Sequence, residues 1–403
     1  MFKQLIALFS TLLVLASLLG VGGWFVWKLA HRAKSIHTSA PEFAPDKEQF
    51  VAGHAGMALS LLVRVGAEPA RDRDATVDFG ADCELGPAVF LDGLVYSDFP
   101  DMEVDGKPVP ADHVRPLAQL PGLKAVWWMS VEPEGRRYTN SDDTPGWWDD
   151  IRYRESVFEA RANATLIPGD VRPLVQRPLE WEGLSVGTLR YKVALEFQDF
   201  FLSSPGSEAV EKAGFVPGVR RLSRKGGTGV DCVDYGFALG NLPYIWGSGS
   251  RKGSAHPEWH QAEHYIGADC ADLLMAGWRL AGLTGEEYSG VVKLVDDYSR
   301  SPRLHLLGGY EDGIFQDEDG HPLDFGPQGT IRPGAGILWV YNRGRNGHAG
   351  ILALDSGPDG EPNGLLDRDD LVLHTYNNTP LLEPLRGIMP LTAPRAVLNP
   401  PGQ

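Results

Sequence analysis

Tyr265–Leu283, YIGADCADLLMAGWRLAGL, governs the reading of the C-terminal half of the chain. Leu273, Leu274, Trp278 and Leu280 follow Cys270 at a spacing that lays an apolar stripe along one face of a helix. Asp269 stands where it can cap that helix. A thiol on the first turn meets the open backbone N–H groups and the positive end of the helix dipole, which favour thiolate over thiol. Cys270 is therefore a nucleophile candidate. A lone cysteine is more often a small buried hydrophobe, so the choice between the two roles rests on what lies further along the chain.

Arg332–Asp355, RPGAGILWVYNRGRNGHAGILALD, reads as a Pro-Gly turn, a short apolar strand, a polar turn, and then His348 opening a second apolar strand. A histidine at that place could take the thiol proton. Leu371–Asn378, LVLHTYNN, is another short strand and carries His374, which could orient the first imidazole through its other ring nitrogen. Upstream, Leu242–Gly247, LPYIWG, follows a helix-like run from Asp231 to Gly240. Cysteine, base and orienting group thus occur in order.

That order resembles the NlpC-like murein peptidases, papain-related cysteine hydrolases whose motif runs Pro-Tyr-x-x-Gly, Asp-Cys-Ser-Gly, a Pro-Gly-Asp turn, His-x-Gly-Ile and a late polar residue. The likeness covers roughly Gly229 to Pro384. It implies a papain-like α+β domain over 229–403 that cleaves an amide bond through an acyl-enzyme, with a cell-wall peptide as substrate and no cofactor needed for the chemistry. By the same resemblance Cys270 is the nucleophile, His348 the general base, His374 the orienting third member and Tyr244 the tyrosine lining the site. The chain departs from the pattern at Asp269-Cys270-Ala271-Asp272, at Pro333-Gly334-Ala335, and in the longer gap between Tyr244 and Cys270. Ala271 and Asp272 keep a second reading in play, a non-catalytic cell-envelope binding protein that uses the fold as a recognition surface.

The whole chain, 403 residues with 43% hydrophobic and 22% charged composition, has room for two domains. A net charge of −16 argues against nucleic acid as a partner. Leu5 to Trp27 holds no charged residue and is long enough, at ~1.5 Å per residue, to cross a ~30 Å hydrocarbon core. It reads as a single membrane anchor, with 1–34 as anchor and flanks and 35–50 as a polar tether. Lys28, Arg32 and Lys34 after the span would put the globular part in the cytoplasm, whereas the family resemblance puts it outside. Residues 51–202 read as an antiparallel β domain. Met57, Leu59, Leu61, Val63 and Val65 alternate, Asp105-Gly106 is a hairpin turn signal, and Gly187–Phe197 has Leu189, Tyr191, Val193, Leu195 and Phe197 on one face. Arg190, Lys192 and Glu196 share its other face. Of the pairs Trp127-Trp128 and Trp147-Trp148, one ring of each is expected in the core with the other covering it. Residues 203–228, with a basic run at Arg220, Arg221, Arg224 and Lys225, read as a linker with a solvated face.

The three cysteines, Cys83, Cys232 and Cys270, form no Cys-x-x-Cys pair, which excludes a zinc ribbon or a dithiol redox motif. Cys83 and Cys232 could be bridged in an oxidising compartment. His256, His260 and His264 recur every four residues, so two of them with Glu258 or Glu263 could hold zinc, while a polar loop edging the cleft is the plainer alternative. Asp359, Glu361, Asn363, Asp367 and Asp370 occupy positions 1, 3, 5, 9 and 12 of a loop with Gly364 at position 6, the oxygen-ligand spacing of a structural calcium loop. An acidic hairpin tip without an ion is the alternative reading.

Overall fold

Alternating apolar residues build two facing sheets from the N-terminal half of the computed structural model. The structure describes residues 51–402 apart from 53–56, 67, 70–73, 100–101, 105–106, 140–148, 170–178, 198–199, 212–213, 249–259, 285–288, 342–345 and 389–392. The first sheet runs Val51–Ala52, Ala58–Val65, Cys83–Leu91, Leu94–Tyr96, Val114–Arg115, and the second runs Tyr153–Val157, Ala125–Pro133, Leu184–Glu196, Arg220–Arg224, Asp74–Val77. Leu59, Leu61 and Val63 of the first meet Trp128, Tyr191, Val193 and Leu195 of the second in one core. Each sheet carries one parallel pair, Leu94–Tyr96 with Val114–Arg115 and Arg220–Arg224 with Asp74–Val77, so neither is purely antiparallel. Trp128 is buried and donates to the Ala164 carbonyl at 2.8 Å, while Trp127 lies over the sheet and reaches Glu196 at 3.3 Å. The core position expected of one ring is met by Trp128, but Trp127, next to it in the strand, points to the opposite face and does not cover it.

The second face of Leu184–Glu196, the one that carries the charged residues, is buried too. Lys192 pairs with Glu155 at 3.0 Å and Glu208 at 2.9 Å. Arg190 stacks 5.4 Å from the Tyr153 ring and donates to the Tyr265 carbonyl. The basic run, expected to be a solvated face, is not one: Arg220–Arg224 is a strand, and Arg221 lies 3.6 Å from the Tyr265 ring centroid. Charged residues alternate with apolar ones here because the C-terminal half docks on this face and supplies carbonyls and rings to the guanidinium groups.

The C-terminal half is a six-stranded antiparallel sheet in the order Leu304–Leu306, Ala396–Leu398, Gly336–Tyr341, Asn346–Leu354, Leu371–His374, Leu381–Pro384. The helices Asp231–Ala238 and Cys270–Leu280 pack together on Ile351 and Leu373. Gly277 permits that contact, since a Cβ there would stand 2.8 Å from the Cys232 carbonyl oxygen. Phe315, Phe325, Ile331 and Leu385 cover the other face with Trp339 and Leu352.

The expected α+β class is corrected by these elements. Among the described residues the protein is mostly β, with four short α-helices, Asp231–Ala238, Cys270–Leu280, Val291–Asp297 and Leu385–Ile388. With 48 glycines and 30 prolines the chain is interrupted too often for helical periodicity to persist, and its apolar runs close as short strands instead. A papain-like α+β domain is therefore not the class observed. Among the described residues no helix is long and apolar enough to cross a membrane. The expected N-terminal transmembrane helix is not part of the described structure, because Leu5–Trp27 and the tether lie outside the described residues. Asp105-Gly106 and Trp147-Trp148 lie outside them as well, although Glu103–Val104 and Lys107–Pro108 pair as antiparallel strands on either side of the former.

Candidate active site

Cys270 opens its helix, as the apolar stripe behind it predicts, and Asp269 is the N-cap. Its carboxylate accepts the Asp272 N–H at 2.9 Å through one oxygen and the Gly247 N–H at 3.1 Å through the other. The Ser248 hydroxyl accepts the Asp269 N–H at 2.8 Å and donates to Asp272 at 2.9 Å. The segment carrying Tyr244 is thereby fastened to the helix start, and Tyr244 itself bridges to Ala268. Asp272, which stands where the NlpC-like motif has glycine, is fully buried and paired with Arg279 at 2.9 Å, while Arg279 also takes Glu263.

The backbone N–H groups of Ala349, Ala271 and Cys270 all point at the Cys270 sulfur. They do not make it a thiolate. Burial, reinforced by the negative charge of Asp269, pushes the thiol up to about 12. The expectation from the helix terminus fails here because loss of water around an anion outweighs partial charges, and because the capping carboxylate adds a full negative charge. None of the three cysteines forms a disulfide, and all are buried.

Ala349 follows His348 in the strand Asn346–Leu354, so the contact to the sulfur brings the thiol to the histidine segment. His348 Nε2 lies 3.0 Å from His374 Nδ1, and His374 Nε2 lies 2.7 Å from a Glu383 carboxylate oxygen. His348 Nδ1 is buried and has no hydrogen-bond partner. The thiol is thus tied to the residue after His348, and no hydrogen bond joins the sulfur to His348 Nδ1. Burial, then the neighbouring His374, lowers the His348 imidazole to about 3. Burial also lowers His374, with Glu383 opposing. Trp339 and Tyr376 flank the His348 ring at 5.2 and 5.4 Å between centroids.

Strand register explains how two histidines 26 residues apart meet. Gly350 faces His374 across the ladder. A Cβ on Gly350 would collide with Val372 and stand 3.2 Å from the His374 Cβ, so the glycine leaves room for His374 to lean toward His348. The tyrosines close the site. Tyr244 is buried and its phenol is raised by burial, then by charge on Cys270; Tyr341 is raised by burial, then by Cys270 and Tyr376. Trp246 and Tyr376 remain exposed, and Arg137 lies 5.0 Å from the Trp246 ring centroid. The short parallel pair Tyr138–Thr139 and Ile245–Trp246 brings the N-terminal half to this rim.

Cys270, His348, His374 and Tyr244, all read from sequence, are therefore gathered in one place. Glu383 was missed, although the hairpin Leu371–His374 and Leu381–Pro384, with Val372 opposite Glu383, holds the signal that could have found it. Of the calcium-loop residues, Asn363, Asp367 and Asp370 are linked to one another by hydrogen bonds. Asp359 accepts the Glu361 N–H, Asp367 accepts from Asn363 Nδ2 and the Asp369 N–H, and Asp370 accepts the Asp367 and Ser356 N–H groups. Asp359, Glu361 and Asn363 are exposed, whereas Asp367 and Asp370 are buried. The group of potential metal-ligating side chains found among the described residues is instead Asp317, Asp319 and His321 on the surface. Of the histidine run, His256 and Glu258 lie outside the described residues and Glu263 is engaged by Arg279.

Compared with protein families, with curated proteins and with solved structures, the chain matches none of them. The site is a buried thiol at a helix start, beside two imidazoles and a carboxylate in a row.

Proposed function

We propose that the protein is a cysteine hydrolase that cleaves an amide bond through an acyl-enzyme on Cys270. The observation that carries this reading is the bare, buried Nδ1 of His348 on the residue next to the one whose N–H touches the Cys270 sulfur. A buried polar atom without a partner is costly, so this nitrogen is open to a proton from the thiol. In the proposed reaction the sulfur attacks the carbonyl carbon as His348 Nδ1 takes the thiol proton. The imidazolium then gives the proton to the departing amine, and water, activated by the same nitrogen, releases the acid and restores the thiol. The Cys270 N–H and the Tyr244 hydroxyl would receive the oxyanion. Both reacting groups are neutral at rest, so proton transfer accompanies attack.

The substrate class, a murein-like peptide, and a location outside the cytoplasm come from the NlpC-like resemblance. The net charge of −16 fits that choice better than a polyanion. A second reading, a binding protein of the cell envelope, draws on the low exposure of Cys270, 6%, and His348, 1%. Mass-spectrometric mapping with an electrophilic thiol probe at neutral pH separates the two. The hydrolase reading expects Cys270 to react far faster than Cys83 or Cys232, and expects release of free amine from purified murein peptides. Equal, slow labelling of all three would count for the binding protein, and a reactive Cys270 that spares every stem peptide would move the assignment to another amide or to an acyl transferase.

A further inference from the structure

Glu383 is the part of the site that the hydrolase reading leaves without a task. It sits on Leu381–Pro384, opposite Val372, and points its carboxylate at His374. Gly387 in the following short helix keeps the space open, since a Cβ there would stand 3.1 Å from the other carboxylate oxygen. The chain of contacts from Glu383 through His374 to His348 admits few proton arrangements. An ionised carboxylate only accepts hydrogen bonds, so His374 must present its N–H at Nε2. A neutral His374 then has a lone pair at Nδ1, and the 3.0 Å contact is a hydrogen bond only if His348 donates from Nε2. A neutral His348 with its proton on Nε2 carries a lone pair on Nδ1, the atom that has no partner.

We propose that Glu383 is a positioning residue that sets the tautomers of both histidines, so that the His348 lone pair is left at Nδ1, the atom without a partner. The inference rests on the hydrolase reading for its purpose, but not for its geometry. Acting two imidazoles away from the sulfur, Glu383 touches no reacting atom. Its negative charge would also stabilise the imidazolium formed on His348 during attack, relayed through the polarised His374 ring.

The test is a long-range 1H–15N correlation spectrum of the full chain, labelled with 15N in its histidine rings, at pH 7. His348 and His374 should both show a protonated Nε2 and a bare Nδ1. A proton on His348 Nδ1 would overturn the proposal. Glu383→Ala should mix the tautomers and slow Cys270 labelling about 10- to 100-fold, with Cys232 as the unaffected reference. Glu383→Gln, whose carbonyl can still accept from Nε2 but bears no charge, should keep the tautomers and recover part of the rate. Unchanged tautomers and rates in Glu383→Ala would equally refute it. Proton positions are read without turnover, so the expected spectrum in a protein with an inert Cys270 removes the hydrolase and spares the tautomer assignment. Amide cleavage by a protein with the proton on His348 Nδ1 does the reverse.

Discussion

Cys232 and Cys270 invite comparison, because the chain presents both in the same way. Each follows an aspartate, each lies on the first turn of a helix, and the two helices pack against each other. Each thiol is pushed up to about 12 by burial, against N–H groups of its own helix that pull the other way. A helix start does not by itself distinguish a nucleophile from a packed side chain. The sheet makes the distinction. The sulfur of Cys270 receives the Ala349 N–H beside the imidazole row, whereas Cys232 packs against Gly334 and faces the charges of Asp231 and Asp234.

The largest expected difference between them is in pH dependence. If His348 takes the proton during attack, Cys270 labelling should be flat from about pH 4 upward through neutrality and fall only as the imidazole protonates near its value of about 3. Cys232 has no such base and should gain about tenfold per pH unit as thiolate accumulates toward its value of about 12. His348→Ala should convert the Cys270 profile to the Cys232 form and slow it about 10²- to 10⁴-fold at neutral pH. Parallel profiles in the wild-type protein would erase the comparison.

A smaller effect should follow from crowding the histidine pair. Gly350→Ala adds a methyl against Val372 and His374, with an expected cost of about 1–3 kcal/mol in chemical denaturation. It should also slow Cys270 labelling several-fold by moving His374, while leaving Cys232 as it was. Loss of stability without any change in labelling would mean that His374 does not position His348.

The smallest effect belongs to the acidic loop, the other constellation read from spacing. Its oxygens already accept N–H groups of the loop and its flanks, so Asp359→Ala should change stability by no more than about 0.5 kcal/mol. Millimolar calcium added to chelator-stripped protein should leave Tm in place. A rise in Tm that Asp359→Ala abolishes would show that the loop exchanges these bonds for an ion, as the spacing alone suggests.

What the sequence determined by itself was local: a capped helix behind Cys270, strands carrying His348 and His374, and the alternation that buries Leu59, Leu61, Val63 and Tyr191. Each depends on neighbours within a few residues, where periodicity and capping are direct signals. The fold class was not legible, because short apolar runs fit a strand or a buried helix equally well until partners choose between them. Burial of Arg190 and Arg221 required knowing that Tyr265 would dock on them, and the neutral thiol required knowing how much water the fold removes. Glu383 joined the site only through the register of a hairpin, and the bonds that link Asn363, Asp367 and Asp370 to one another likewise arose in the fold. Tertiary structure decided these points for one physical reason: a charged or polar side chain takes its state from the dielectric and the partners around it, and those are assembled from residues distant in the chain.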